Sequence, residues 1–533
     1  MQIAKKTTGP GQPMTDTAPR PRWRTAYLCA ALAVGLLGWH TLFEPFGRDQ
    51  GIHATIAYAW AEGLTTYSEV YNIKPPLTTL MHRLSQMAFG TDMQAIRLAD
   101  MIVTLLAVLG LVRVMQCLSR SRAEAALAGV GFAVIYYALT YWEHAQTDGW
   151  AWMTVIPSLL CLLAGWRRTG PARMAWMLAG GAALGIGVGF KYTIAAAGLL
   201  VFVPLVAGGP ALRFRLSDLV AYVAGGALVL GAILLALWSE GALGPFLAIQ
   251  NYIRGYVAYG AQSPGLLREV MILLTPSPVV AWITVAGLLP WLAALMRGES
   301  LFVTTTLAWG LTGFLSGHVQ GKGFAYHFMP LIPVYAILFG LFMAAMLAAL
   351  TRRTGRPVLA RGMILAGLVW CLVSTPLWPR TARTLNLLLN DAPRRDIHAF
   401  QPMPPDFDVV ATQDFAARLA THRQPGDSLF VWGYETMIYY LVQEPPRYRY
   451  PYAWPFVVDF HDGRYTDDLM TRLASDPPKH IVVQEGDATP WVTGRTQSSA
   501  EFLALFPELR TFIDLSYEEI ERTERFRLLQ RQD

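Results

Sequence analysis

Long apolar runs, each of about 18 residues or more, recur along this chain up to roughly residue 380, and each can cross a hydrocarbon core about 30 Å thick. A chain that repeats such runs has few options. Its backbone polar groups must be satisfied within each span, so the spans are helices. Composition agrees, since 53% of the 533 residues are hydrophobic and only 15% are charged, a balance that soluble domains rarely show. The sequence therefore predicts a polytopic α-helical membrane protein.

Hydropathy places about eleven spans, near 25–43, 95–116, 123–141, 150–166, 174–190, 193–208, 218–238, 270–296, 301–317, 329–350 and 362–378. The formal net charge is +6, yet the basic residues form no single patch that would suit nucleic acid. They sit in short clusters between spans: Arg113, Arg120 and Arg122; Arg167, Arg168 and Arg173; Arg213 and Arg215; Arg297; and Arg352, Arg353, Arg356 and Arg361. With these spans, every cluster falls on the side of the N-terminus, whose Lys5, Lys6, Arg20, Arg22 and Arg24 precede the first span. The positive-inside rule then makes that side cytoplasmic. The expected organisation is a disordered cytoplasmic segment over 1–24, a membrane domain over 25–378 with a large first outer loop at 44–94, and a soluble extracytoplasmic region over 379–533.

That last region reads as a small α/β domain. "DSLFVWG" (Asp427–Gly433) and "HIVVQEG" (His480–Gly486) are strand-like, and Asp414–His422 and Ala500–Leu505 are helical. Asp459, His461 and Asp462 suit a turn better than a metal. The four cysteines lie in or beside apolar runs, so no disulfide framework and no zinc spacing is present.

The polar chemistry collects on the outer face. "FGRDQGIHATIAYAWAEGLTTYSEVYNIKPPL" (Phe46–Leu77) follows the first span. Asp49, beside Arg48 and Gln50, is either a general base toward a hydroxyl or the N-cap of the helix that follows. Lys74, stiffened by Pro75 and Pro76, is either a phosphate ligand or a snorkelling anchor. Asp148 shares a very short loop with Glu143 and His144, close to hydrocarbon, where an acid needs a partner; helix capping is the rival role. Lys191, in "GFKYT", is a turn residue or a second phosphate ligand. The segment "SGHVQGKGFAYHFMPLIP" (Ser316–Pro333) adds His318, Lys322, Tyr326 and His327 on a glycine-rich loop whose spacing is not that of a nucleotide P-loop.

The Phe46–Leu77 segment resembles the first outer loop of bacterial relatives of the protein O-mannosyltransferases and aminoarabinose transferases, which reads Arg-Asp-Glu-Gly, a helix, Pro-Tyr and Lys-Pro-Pro. "QTDGW", "GFKYT" and "GKGFAYHFMPLIP" extend the likeness. The family belongs to the GT-C superfamily of integral membrane glycosyltransferases. The resemblance implies transfer of a sugar from a polyprenyl-phosphate carrier to an acceptor hydroxyl on the outer face of a bacterial inner membrane, with inversion. By that resemblance Asp49 is the base and Asp148 the second acid of the site. Lys74, Lys191, Lys322 and His327 hold the donor phosphate, and Arg48, Gln50, Tyr67 and Arg97 support them. Where the family often has Glu this chain has Gln50, which does not ionise, so the sequence supports no divalent cation and no other cofactor. Thr66-Tyr67 stands for the family's Pro-Tyr pair, and His327-Phe328 for its His-Tyr. The acceptor is left open between lipid, glycan and protein. Two other functions fit parts of the pattern: a lipid-linked sugar flippase or transporter, and a non-catalytic glycan-binding member of the family.

Overall fold

The computed structural model describes residues 21–208, 212–258, 265–458, 460 and 463–532. The N-terminal residues expected to be disordered lie outside these up to residue 20, and so do Asp459, His461 and Asp462. The chain is a polytopic α-helical membrane protein that ends in a small α/β domain.

Among the described residues, seven helices are long and apolar enough to span a bilayer: Trp23–Phe43, Gln94–Cys117, Thr147–Trp166, Gly170–Phe190, Leu216–Ser239, Pro278–Met296 and Ala325–Thr354. An eighth span arises if Pro357–Val373 and Leu377–Leu389, bent by 76°, count as one. The expected count of about eleven is therefore corrected to seven or eight, and three expected spans fall short. Arg122–Ala138 has 17 residues, about 25 Å of helix. The run expected at 193–208 starts as a 3-10 helix, Tyr192–Phe202, and ends in the short helix Val203–Ala207. Ser300–His318 is diluted by Ser, Thr and Gly. Hydropathy averaged over a window registers apolar content, whereas crossing a bilayer also needs an unbroken helix of about 20 residues.

The membrane domain packs through small residues, as helices in lipid commonly do. Gly170–Phe190 and Leu216–Ser239 lie so close that a Cβ on Gly181 would stand 1.7 Å from the Tyr222 carbonyl oxygen. Arg122–Ala138 is wedged between the first span and Ile332–Thr354. Its Gly131 faces the Phe339 ring, with room for no side chain.

The segment between the first two spans carries two helices, Arg48–Ala61 and Pro76–Phe89. The second starts where Pro75 and Pro76 permit it, since proline fits the first helical turn. Four strands form the sheet of the C-terminal domain: β1 (Leu429–Trp432), β2 (His480–Gln484), β3 (Tyr517–Arg522) and β4 (Phe526–Arg531), in the order β1-β2-β4-β3. β1 runs parallel to β2, with Phe430 opposite Ile481, and β3-β4 is an antiparallel hairpin. Both strand-like runs of the sequence become strands; the hairpin, whose β3 reads "YEEIER", has no alternating apolar pattern to reveal it. The domain sits on the segment between the first two spans. Val70 bridges to Arg449, and Tyr71 N–H donates to the Arg449 carbonyl at 2.6 Å.

Candidate active site

Helix Arg48–Ala61 sets the geometry of the site. Its N-cap is Gly47, whose N–H donates to Gln50 Oε1 at 3.1 Å. The N-cap role open to Asp49 in the sequence is therefore taken, and its carboxylate lies in the first turn, where the positive helix end favours it. Gln50 reaches the other way, donating to the carbonyls of His144 at 2.7 Å and Trp142 at 3.3 Å. It ties the helix start to the Tyr141–Trp150 loop. Arg97 is fully buried and pins the same loop, donating to the carbonyls of His144 at 2.9 Å, Tyr141 at 3.1 Å and Pro45.

Lys74 is fixed through its backbone. Its N–H donates to Asn72 Oδ1 at 3.0 Å, and its carbonyl accepts from the Tyr67 hydroxyl at 2.8 Å. With both ends held and Pro75 following, the ammonium is delivered to Asp49: Nζ stands 3.6 Å from Oδ2, the two side chains 18% and 24% exposed.

A second ion pair lies deeper. Lys191 takes an extended conformation after helix Gly170–Phe190 and donates to Asp148 Oδ2 at 3.1 Å, while Gln320 Nε2 donates to Asp148 Oδ1 at 3.0 Å. Both carboxylate oxygens are satisfied, which a buried charge requires. His327 is buried beside them, its ring 4.6 Å from that of Tyr326, and its Nδ1 has no hydrogen-bond partner among the described residues. Lys322 lies 4.2 Å from the centre of the Tyr256 ring.

These groups surround one cavity of about 680 Å³, the size of a small-ligand site. Of the residues singled out in the sequence, Arg48, Asp49, Lys74, Glu143, Lys191, Lys322, Tyr326 and His327 line it. Asp148 stands behind Lys191, and Gln50, Tyr67 and Arg97 act through the backbone they hold. Arg48 also braces the C-terminal domain: Nη1 donates to Asp406 Oδ2 at 2.8 Å, Nη2 to the Asp406 carbonyl at 2.7 Å and Nε to Glu435 Oε1 at 3.3 Å.

Sequence reasoning missed three contributors. His53, one helical turn beyond Asp49, lines the cavity at 3% exposure with neither ring nitrogen hydrogen-bonded among the described residues. Burial, with Lys74 nearby, holds its pKa well below the usual histidine value, so the ring is neutral. The i, i+4 spacing from Asp49 was the signal available. Gln320 is the second. The third is the wall from the C-terminal domain, including Tyr434, Tyr452, Trp454 and Trp491, for which no local signal exists. Among the described residues, no group of three His, Cys, Asp or Glu is placed to hold a metal ion.

Residues 73–238 match the family model described as dolichyl-phosphate-mannose-protein mannosyltransferase. No curated protein sequence matches the chain. Among solved structures, the chain is similar to ArnT from Cupriavidus metallidurans in the apo state, with a TM-score of 0.58 at 18% identity over 95% of this chain and 98% of that one. It is also similar to the same protein bound to undecaprenyl phosphate, with a TM-score of 0.53 at 16% identity over 96% and 98%. The likeness is one of fold, and it agrees with the resemblance to GT-C membrane glycosyltransferases carried by the Phe46–Leu77 segment.

Proposed function

We propose that this protein is an integral membrane glycosyltransferase that moves a sugar from a polyprenyl-phosphate carrier to an acceptor hydroxyl. The observation that carries the proposal is the meeting of Asp49 and Lys74 at 3.6 Å on the wall of a cavity that Lys191, Lys322 and His327 also line. One base beside a group of cations suits this reaction. The acceptor oxygen attacks the anomeric carbon while its proton passes to the Asp49 carboxylate. The bond from that carbon to the phosphate oxygen breaks, and its electron pair leaves with the polyprenyl phosphate. Lys74 and Lys191 oppose the growing phosphate charge. A single displacement of this kind inverts the anomeric centre. Asp148 keeps Lys191 charged and aimed, which makes it a positioning residue.

The family match over 73–238 and the fold shared with a protein that binds undecaprenyl phosphate support this donor class. On this reading the cavity faces the extracytoplasmic side of a bacterial inner membrane, with the N-terminus in the cytoplasm. The test is Asp49→Asn in reconstituted protein. Transfer is expected to fall by about 10²–10⁴-fold, the usual worth of a general base, while undecaprenyl phosphate binds as before. Lys74→Met is expected to weaken that binding. A fully active Asp49→Asn enzyme overturns the assignment.

A further inference from the structure

The cavity has two chemically different walls. All its lysines and arginines come from the membrane domain: Arg48, Lys74, Lys191 and Lys322. The C-terminal domain supplies Tyr434, Tyr452, Trp454 and Trp491 and, among the described residues, no cation. The one charge on that wall is Asp406, which is negative and committed to Arg48 at 2.8 Å.

Three of these four cations face carboxylates. Arg48 also bonds Glu435 at 3.3 Å, Lys74 stands 3.6 Å from Asp49, and Lys191 stands 3.1 Å from Asp148. A phosphodiester donor brings one negative charge, and its monophosphate product about −1.5 to −2. The lysines can meet that demand. A second anion, laid against the C-terminal wall, would find Asp406 and aromatic rings with no counter-charge, and burying it there is costly.

What this wall does offer is flat apolar surface. Trp454 is locked by Tyr252, Tyr256 and Phe460, with ring centres 5.8, 5.6 and 5.8 Å away. Trp491, on the short helix Pro490–Thr493, is 52% exposed at the cavity. The polyprenyl tail leaves toward the bilayer, so a wall built by the soluble domain meets the other substrate. Pyranose rings carry C–H faces that pack on aromatic rings, and a half-exposed indole presents such a face without rearrangement.

We infer that the C-terminal wall is the acceptor subsite and that it takes an uncharged saccharide stacked on Trp491, not a phosphorylated lipid head group. The inference rests on the glycosyltransferase reading above, which assigns the cationic wall to the donor. The full chain in nanodiscs tests it in two arms. In one, binding is measured to an array of neutral, phosphorylated and carboxylated oligosaccharides and of peptides. In the other, binding is measured to undecaprenyl phosphate alone. The wild type is expected to retain neutral oligosaccharides. Trp491→Ala is expected to weaken that binding about tenfold, the loss of roughly 1.4 kcal/mol, and Trp491→Phe to keep most of it. Undecaprenyl phosphate is expected to bind all three forms alike. Because Trp491 is half exposed, its replacement leaves the fold intact, which melting checks. Preference for acidic saccharides or peptides, no neutral binding, or Trp491→Ala behaving as wild type overturns the inference. Loss of undecaprenyl phosphate binding by the wild type counts against the donor assignment, while the saccharide arm still decides the acceptor class.

Discussion

Asp49 and Lys74 had two meanings each in the sequence, a base or a cap, and a phosphate ligand or an anchor. Their surroundings place both side chains at the cavity. Gly47 and Gln50 cap the helix, and Asn72 and Tyr67 grip the Lys74 backbone, so both side chains are left to face the cavity. His53 is the residue to probe next. A neutral buried imidazole with no partner among the described residues costs stability, because an unmade hydrogen bond in the interior carries its full desolvation penalty. It pairs naturally with a substrate hydroxyl. His53→Leu is therefore expected to raise stability by about 1–3 kcal/mol and to raise the KM for donor or acceptor. Thermal melting and steady-state kinetics on the same preparation check both parts. A variant that is less stable and fully active contradicts this role.

At the scale of elements, apolar runs told which segments are helices but overstated how many are long and apolar enough to span. The pattern in 123–141 is the same whether the helix meets lipid or protein, and only packing shows that Arg122–Ala138 is enclosed by its neighbours. Glycine positions were equally silent. Gly225 and Gly231 lie on one helix, Leu216–Ser239, in similar sequence. A Cβ at Gly225 would stand 1.9 Å from the Leu178 carbonyl oxygen, whereas one at Gly231 meets nothing within 4 Å. Gly225→Leu is expected to push the helix pair apart and lower the melting temperature, an overpacking cost of about 1–3 kcal/mol or more. Gly231→Leu is expected to leave it unchanged. Equal effects at the two sites would contradict the close crossing.

At the scale of the whole molecule, the C-terminal α/β domain is clamped to the membrane domain through Arg48. Three buried carboxylates, Asp406, Glu435 and Asp487, act on this one guanidinium. Burial pushes Glu435 up to about 7, against the pull of Arg48, and burial also raises Asp487. Glu435 thus keeps a proton in the folded protein at a pH where the unfolded chain, titrating near 4.5, has lost it. Its contribution to stability is complete below the unfolded value and declines as pH rises toward about 7. Glu435→Gln removes that titration while keeping an oxygen for Arg48. Melting temperatures from pH 4.5 to 8 are expected to fall more steeply in wild type than in Glu435→Gln. Parallel curves would show that another group carries the pH dependence.

The sequence by itself determined the helical membrane architecture, the α/β character of the C-terminal region and the polar segments that supply the lysines and Asp49. These follow from composition, period and local backbone rules, which act over a few residues. Tertiary structure alone decided how many helices are long and unbroken enough to span, that Asp49 and Lys74 meet at one cavity, and that the C-terminal domain completes that cavity. Each of those depends on contacts between residues far apart in the chain, such as Arg48 with Asp406 and Glu435. Such contacts leave no periodic trace because one side chain in each partner is enough to make them.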